Sequence, residues 1–307
     1  MIFKRFILVF VFINLTTSVF CASAQKTEIE SDQQISDFSL AGYGEKGKKN
    51  WDLSGKSADI FTEVVKLNDV VGNLYGKEED VKLTARRGDF NKVDGKVHLE
   101  QDVVITTSSG TKLTTDSLDW DRKNQLVMTQ DVVNIQRDNM VTVARGAKGE
   151  PNLKKVALEK EVKVDVNPVA PVQGQDAGLK EKITITCDGP LEIDYEKNIA
   201  SFNNNVKVER TDSTIYSDKM DIFFIASNKT DREAENAQGA SDKTSSFMGS
   251  KIDKIIARGN VKVVRGENIS YSDEAIYTAS DRKITLNGRP RLIIYSSEGL
   301  KDASLGN

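Results

Sequence analysis

Histidine is nearly absent from these 307 residues, cysteine occurs twice and proline five times. With His98 alone and only Cys21 and Cys187, the chain lacks the ligands for a Cys/His zinc site and the pairs for a disulfide framework. A Ser-His-Asp triad with several candidate bases is excluded on the same count. No excess of one charge sign exists either. Lys plus Arg total 43 against 46 Asp plus Glu, a net charge of −3, so nucleic acid is not an expected partner. No catalytic residue, metal or cofactor is assigned. What remains is the composition of an ordinary folding protein, 38% hydrophobic and 29% charged. Its length allows one large domain or two modest ones.

The amino terminus reads as an address. Lys4 and Arg5 precede an apolar run from Phe6 to Ile13, and Ala22-Ser23-Ala24 supplies small residues at the −3 and −1 positions. That is the pattern of a secretory signal, with cleavage expected after Ala24. The apolar run is shorter than the roughly 20 residues a membrane helix needs. An uncleaved inner-membrane anchor is the alternative. Phe20 stands where a small residue is wanted before a lipidated cysteine, so Cys21 is expected to leave with the signal. Cys187 shares the parity of Ile183 and Ile185 and reads as a small buried hydrophobe.

Beyond residue 50 the apolar positions alternate. Val97-His98-Leu99, Ile183-Thr184-Ile185-Thr186-Cys187, Val206-Lys207-Val208, Val261-Lys262-Val263 and Ile284-Thr285-Leu286 all have period two. One sheet face is then apolar and the other polar. Branched Val, Ile and Thr favour the pleated surface. A longer unit also recurs, closed by an acidic or amide residue before valine: Asp69-Val70, Asp102-Val103, Asp131-Val132, Glu161-Val162, Asn205-Val206 and Asn260-Val261. The valines step by 33, 29, 30, 44 and 55 residues. Steps near 30 fit a repeated two-strand hairpin. Turn chemistry suits this at residues 91–95, 121–124, 195–198 and 280–283.

The two long steps mark the organisation. Residues 167–180 are rich in Pro, Gly and Gln and read as a linker, and residues 226–250 read as a long polar loop. The expected division is a signal at 1–24, a lead at 25–36, a β domain at 37–166, the linker, a second β domain at 181–300 and a tail at 301–307.

The repeated hairpins resemble the OstA-like domains of bacterial lipopolysaccharide export. Residues 191–208, 214–223 and 256–263 are similar to strands of LptA, and the repeats from Trp51-Asp52-Leu53 onward are similar to LptC. This resemblance implies an all-β fold of two tandem β-jellyroll (β-taco) domains, LptC-like then LptA-like. It implies a non-enzymatic periplasmic carrier that shields the acyl chains of lipopolysaccharide in an apolar groove. Each methylene kept from water is worth about 0.8 kcal/mol.

Alternation nominates the lining. In the first half it comprises Leu67, Leu83, Val97, Leu99, Val103, Ile105, Leu118, Trp120, Leu126 and Met128. In the second it comprises Ile183, Ile185, Leu191, Ile193, Phe202, Val206, Val208, Ile222, Phe224, Val261 and Val263. The same residues would equally fill a closed core. Open jellyrolls leave unpaired edge strands, expected here around residues 37–53, with Trp51 and Leu53 as docking residues, and around residues 289–295, with Leu292, Ile293 and Ile294. In the resembled family such edges pair head to tail, which implies an inner-membrane ABC transporter, an outer-membrane translocon and further copies of the chain as partners.

Two other classes compete. Asp119-Trp120-Asp121 places two carboxylates on one strand face beside an aromatic, as a polysaccharide-active enzyme would require. Solvated aspartates beside a turn, with Trp120 inward, is the simpler reading. An adhesin-type solenoid would show shorter, more regular repeats. His98, between inward Val97 and Leu99, is expected to face outward.

Overall fold

Alternating Val, Ile and Thr give strands throughout. The computed structural model describes residues 32–44, 47–76, 79–151, 153–167, 182–225, 246–247, 250–280 and 283–295. The expected signal at 1–24, nearly all of the linker, residues 226–245 of the loop and the tail lie outside these. Among the described residues the first half holds β1 (Gln33–Tyr43), β2 (Lys49–Ile60), β3 (Val64–Tyr75), β4 (Asp80–Asn91), β5 (Lys96–Thr107), β6 (Lys112–Asp121), β7 (Leu126–Arg137), β8 (Met140–Gly149) and β9 (Lys155–Val166). The second half holds β10 (Ile183–Cys187), β11 (Leu191–Asp194), β12 (Ile199–Glu209), β13 (Thr214–Ile225), β14 (Ser246–Phe247), β15 (Ser250–Arg265), β16 (Asn268–Thr278), β17 (Lys283–Asn287) and β18 (Arg291–Ile293). Strand β1 begins inside the expected lead, and β14 and the first residue of β15 fall inside the expected loop.

Every pairing is antiparallel and nearly all join sequence neighbours, as hairpins dictate. Strands β10 and β11 act as one interrupted strand: both lie between β9 and β12. The two halves therefore share a single sheet. At its far end β13 pairs with β15, β15 with β16, and β16 with both β17 and β18.

The recurring acidic or amide residue has a backbone role. Asp69, Asp102, Glu161, Asn205 and Asn260 all have φ between 48° and 55°, in the left-handed region. Asn and Asp tolerate that region through local hydrogen bonding of a short side chain. Register shifts sit beside them on β5, β12 and β15. At Asp131 the left-handed residue is instead Gly146 on the facing strand β8, where a Cβ would come 2.7 Å from Glu159 Oε2. The repeat is thus a row of bulges crossing the sheet, and bulges bend strands.

That bend folds the sheet onto itself. Leu99, Val103, Leu158, Val164, Phe202 and Val206 are 0–1% exposed. A single flat sheet with no second layer cannot cover a face so fully. A ring contact shows the consequence. Tyr195 lies opposite Lys154, whereas Arg137 lies in the row of Met140, Val166 and Ile183. On a flat sheet these ends would be about 40 Å apart at roughly 3.3 Å per residue. The Arg137 guanidinium sits 5.0 Å from the centre of the Tyr195 ring. Opposite strand ends meet, and the buried face lies between the two arms.

Candidate functional site

The folded sheet has an interior lined from both arms, a row of bulges along one side and strand ends along the other. We call the second side the mouth. Fourteen of the twenty-one nominated lining residues are buried in one cluster: Leu67, Leu99, Val103, Ile105, Leu118, Ile185, Leu191, Ile193, Phe202, Val206, Val208, Ile222, Phe224 and Val261. Leu83, Val97, Trp120, Ile183 and Val263 pack against it while partly exposed. These side chains fill the interior by touching one another. Hydroxyls interrupt the apolar surface at Thr115 and Thr129, 3.5 Å apart, and at Ser217 and Ser272, whose buried oxygens lack a hydrogen-bond partner.

Leu126 and Met128 are misplaced by the sequence reading. Val127 pairs with inward Trp120, so Val127 and Thr129 line the interior. Leu126 and Met128 pair with Asp121 and Asp119 on the opposite face. Farther along the same strand the inward positions are Val133 and Ile135.

The first edge lies at the start of its expected range, and the docking residues named for it need correcting. Trp51 and Leu53 lie on β2, which is paired on both sides, to β1 and β3. Among the described residues the outermost strand is β1. Its inward positions are Ile35, Phe38 and Leu40, two of them well exposed at 44% and 56%. The sequence carried a signal here: Asp37-Phe38 repeats the acidic-apolar closure, and Asp37 has φ of 49°. Gly42 lets the edge close over Trp51, because a Cβ there would meet the indole at 2.1 Å. At the other end Leu292 and Ile294 are 59% and 69% exposed, and Ile284 on β17 is 65% exposed. Ile293 is half-buried on β18.

On the outer face of the first half, near the strand ends, a cavity of about 510 Å³ is bordered by Asp89, His98, Asp119 and Met128, with Val97 and Trp120 beside them. Asp119 and Asp121, the pair a hydrolase would need, already have partners. His98 faces outward as expected and its Nδ1 lies 2.7 Å from Asp119 Oδ1. Asp121 accepts from the Asn124 backbone N–H at 2.9 Å and its side-chain amide at 2.8 Å. Those bonds, the backbone one foremost, hold the carboxyl below its ordinary range. Asp121 is therefore the cap of the β6–β7 turn.

Cys187 is 4% exposed between the arms, and burial pushes its thiol pKa up. Its inert, apolar setting matches its strand parity. Across the outer face of the second half runs a polar ladder. Ser201 Oγ donates to Asp221 at 2.7 Å, Arg258 donates to Asp221 at 2.7 Å and to Glu274 at 3.0 Å, and Asn287 donates to Glu274 at 3.0 Å. It ties β12, β13, β15, β16 and β17 together away from the lining. Among the described residues no helix is long and apolar enough to cross a membrane, and no cluster of His, Cys, Asp and Glu could hold a metal ion.

Comparison with known proteins gives two matches in tandem. A family described as lipopolysaccharide-assembly, LptC-related, matches residues 6–167. A second, described as LptA/(LptD N-terminal domain) LPS transport protein, matches residues 185–301. No curated protein matches the chain.

Proposed function

Because the chain belongs to the LptC-related lipopolysaccharide-assembly family and continues into an LptA-like domain, we propose that it is a non-enzymatic carrier of lipopolysaccharide across the periplasm. The observation that carries this reading is the shared interior. One apolar cluster runs without a break from Phe38 on β1 to Val261 on β15, through both matched regions. Fatty chains entering at the mouth replace contacts that the lining side chains make with one another. Apolar surface is then buried against the lipid instead of against the opposite arm. The exchange is close to balanced, since each square ångström of apolar surface is worth roughly 25 cal/mol in either state. A bulge row is a suitable hinge for the opening, and such a carrier needs no chemistry.

The two ends set the direction of passage. Among the described residues, strand β1 and the β17–β18 edge offer unpaired backbone groups together with exposed apolar side chains, a combination that favours strand addition by another chain. An inner-membrane ABC transporter takes one edge, and an outer-membrane translocon or a further copy of this chain takes the other. The amino-terminal segment directs the chain to the periplasm as a cleaved signal, or holds it at the inner membrane if it stays attached. A photoreactive residue at Phe202 or Leu99 will capture lipopolysaccharide in living cells. One at Leu292 will capture a protein. Lipid labelling confined to outward positions such as Glu192 and Val104 would refute the assignment.

A further inference from the structure

Strand alternation carries one guanidinium into the interior row. On β7 the inward positions run Val127, Thr129, Val133 and Ile135, and the next is Arg137 at the strand end. Its side chain is drawn in to 17% exposure. It lies over Tyr195, whose ring meets Phe224 edge-on at 6.1 Å between centroids. Tyr195 and Arg137 come from opposite ends of the strands, so their contact spans the mouth.

The guanidinium is only partly served there. Its Nε is buried with no hydrogen-bond partner, and the nearest carboxylate oxygen, Asp138 Oδ2, is 4.0 Å away, too far for a hydrogen bond. Arg is always charged and presents a flat fork of five donors that matches phosphate bidentately. The Tyr195 hydroxyl accepts one hydrogen bond from the fork, and Nε is left without an oxygen. Parting the arms breaks the Arg137–Tyr195 contact and frees the fork. At that moment an amphiphile whose chains lie between the arms has its polar linkage region at the mouth, beside Arg137.

We propose that Arg137 reads a phosphoryl group on the carried amphiphile, resting on Tyr195 while the arms are closed and moving to the phosphate when they part. This deepens the carrier reading and rests on it. A phosphorylated amphiphile gives Nε and the fork oxygens on one face, whereas a phosphate-free one leaves the fork only the Tyr195 hydroxyl. Arg137 is then a specificity residue for the headgroup, and the lining selects only for fatty chains.

Equilibrium binding to the full chain tests this, with three probes: bisphosphorylated lipid A, phosphate-free lipid A and inorganic phosphate. The wild type will favour the phosphorylated lipid by roughly tenfold or more, as charge-assisted hydrogen bonds predict. Arg137→Gln will remove that preference and leave phosphate-free binding unchanged. Arg137→Lys, which keeps the charge but not the fork, will retain part of it, and thermal melting of both variants reports on folding. Persistence of the full preference in Arg137→Gln overturns the proposal. So does equally tight binding of inorganic phosphate, which would make this an anion site independent of the lining. Equal binding of both lipids by the wild type sinks the phosphate reading alone, whereas binding of neither sinks the carrier reading itself.

Discussion

The middle of the interior and its two ends are built from the same side chains and differ only in what covers them. Phe202, Leu158 and Val103 at the centre are wholly enclosed by the opposite arm. Ile35 and Leu40 on β1, and Ile284 and Leu292 near the carboxy-terminal edge, hold equivalent inward positions and stand open. Folding free energy is therefore concentrated in the middle, and unspent apolar surface lies at the ends. An exposed apolar position on an unpaired strand is a surface prepared for another strand or for the cargo. The difference separates the residues that hold the protein together from those that act.

The largest expected effect breaks the middle. Phe202→Ala removes a fully enclosed ring and will lower unfolding free energy by about 3–5 kcal/mol in urea denaturation. Leu292→Ala will change it by less than about 0.5 kcal/mol. Equal losses at the two sites would abolish the distinction. The bulge row should respond next. At Asn260, φ of 48° suits Asn or Gly but not a branched side chain, so Asn260→Val will cost roughly 1–3 kcal/mol. Asn260→Gly will recover most of that loss, and comparison of the two denaturation midpoints checks it.

Much of this was legible in the sequence, and the failures have identifiable causes. Period-two alternation set the strands, and the recurrent acidic or amide residue before valine marked the bulges, because left-handed backbone restricts which side chains fit. Leu126 and Met128 were assigned to the wrong face since both they and Val127 alternate plausibly. Only the pairing of Val127 with Trp120 fixes the parity. The first edge was drawn too wide, from residue 37 into β2, because the polar start of β1, Gln33-Gln34, gives little apolar signal. Arg137 was not singled out either, as a charge at a strand end reads as a solvated turn. Whether the lining would touch itself or open onto a groove was beyond the sequence. Both states use identical side chains, and the choice depends on how far each bulge bends its strand.

A smaller effect on stability, with a larger one on activity, sharpens the comparison at the ends. Leu40→Asp and Leu292→Asp place a charge at positions that are already solvated, so melting temperatures will hardly move. Capture of a partner from a photoreactive residue beside each edge will fall sharply if these strands dock other chains. Unaltered capture in both variants would make the ends simple frayed termini.

The smallest expected effect concerns how the open end near β1 is held without packing. Asp52 on the outer face of β2 accepts from Asn73 Nδ2 at 2.6 Å, Tyr75 Oη at 2.8 Å and Lys49 Nζ at 3.1 Å. These bonds, the one from Asn73 foremost, lower its pKa from 3.8 to about 2. A carboxyl depressed in the folded state stabilises the fold above its unfolded pKa, and that contribution disappears as pH falls through the folded value. The window therefore lies between about pH 4 and pH 2. Asp52→Asn will be slightly less stable than the wild type at neutral pH, and the two denaturation curves will converge as the buffer is acidified through that window. The difference stays small because water competes for a clamp at the surface. Were the gap instead to persist unchanged at pH 2, the clamp would act through shape rather than charge, and the β1 end would be held by packing like the middle.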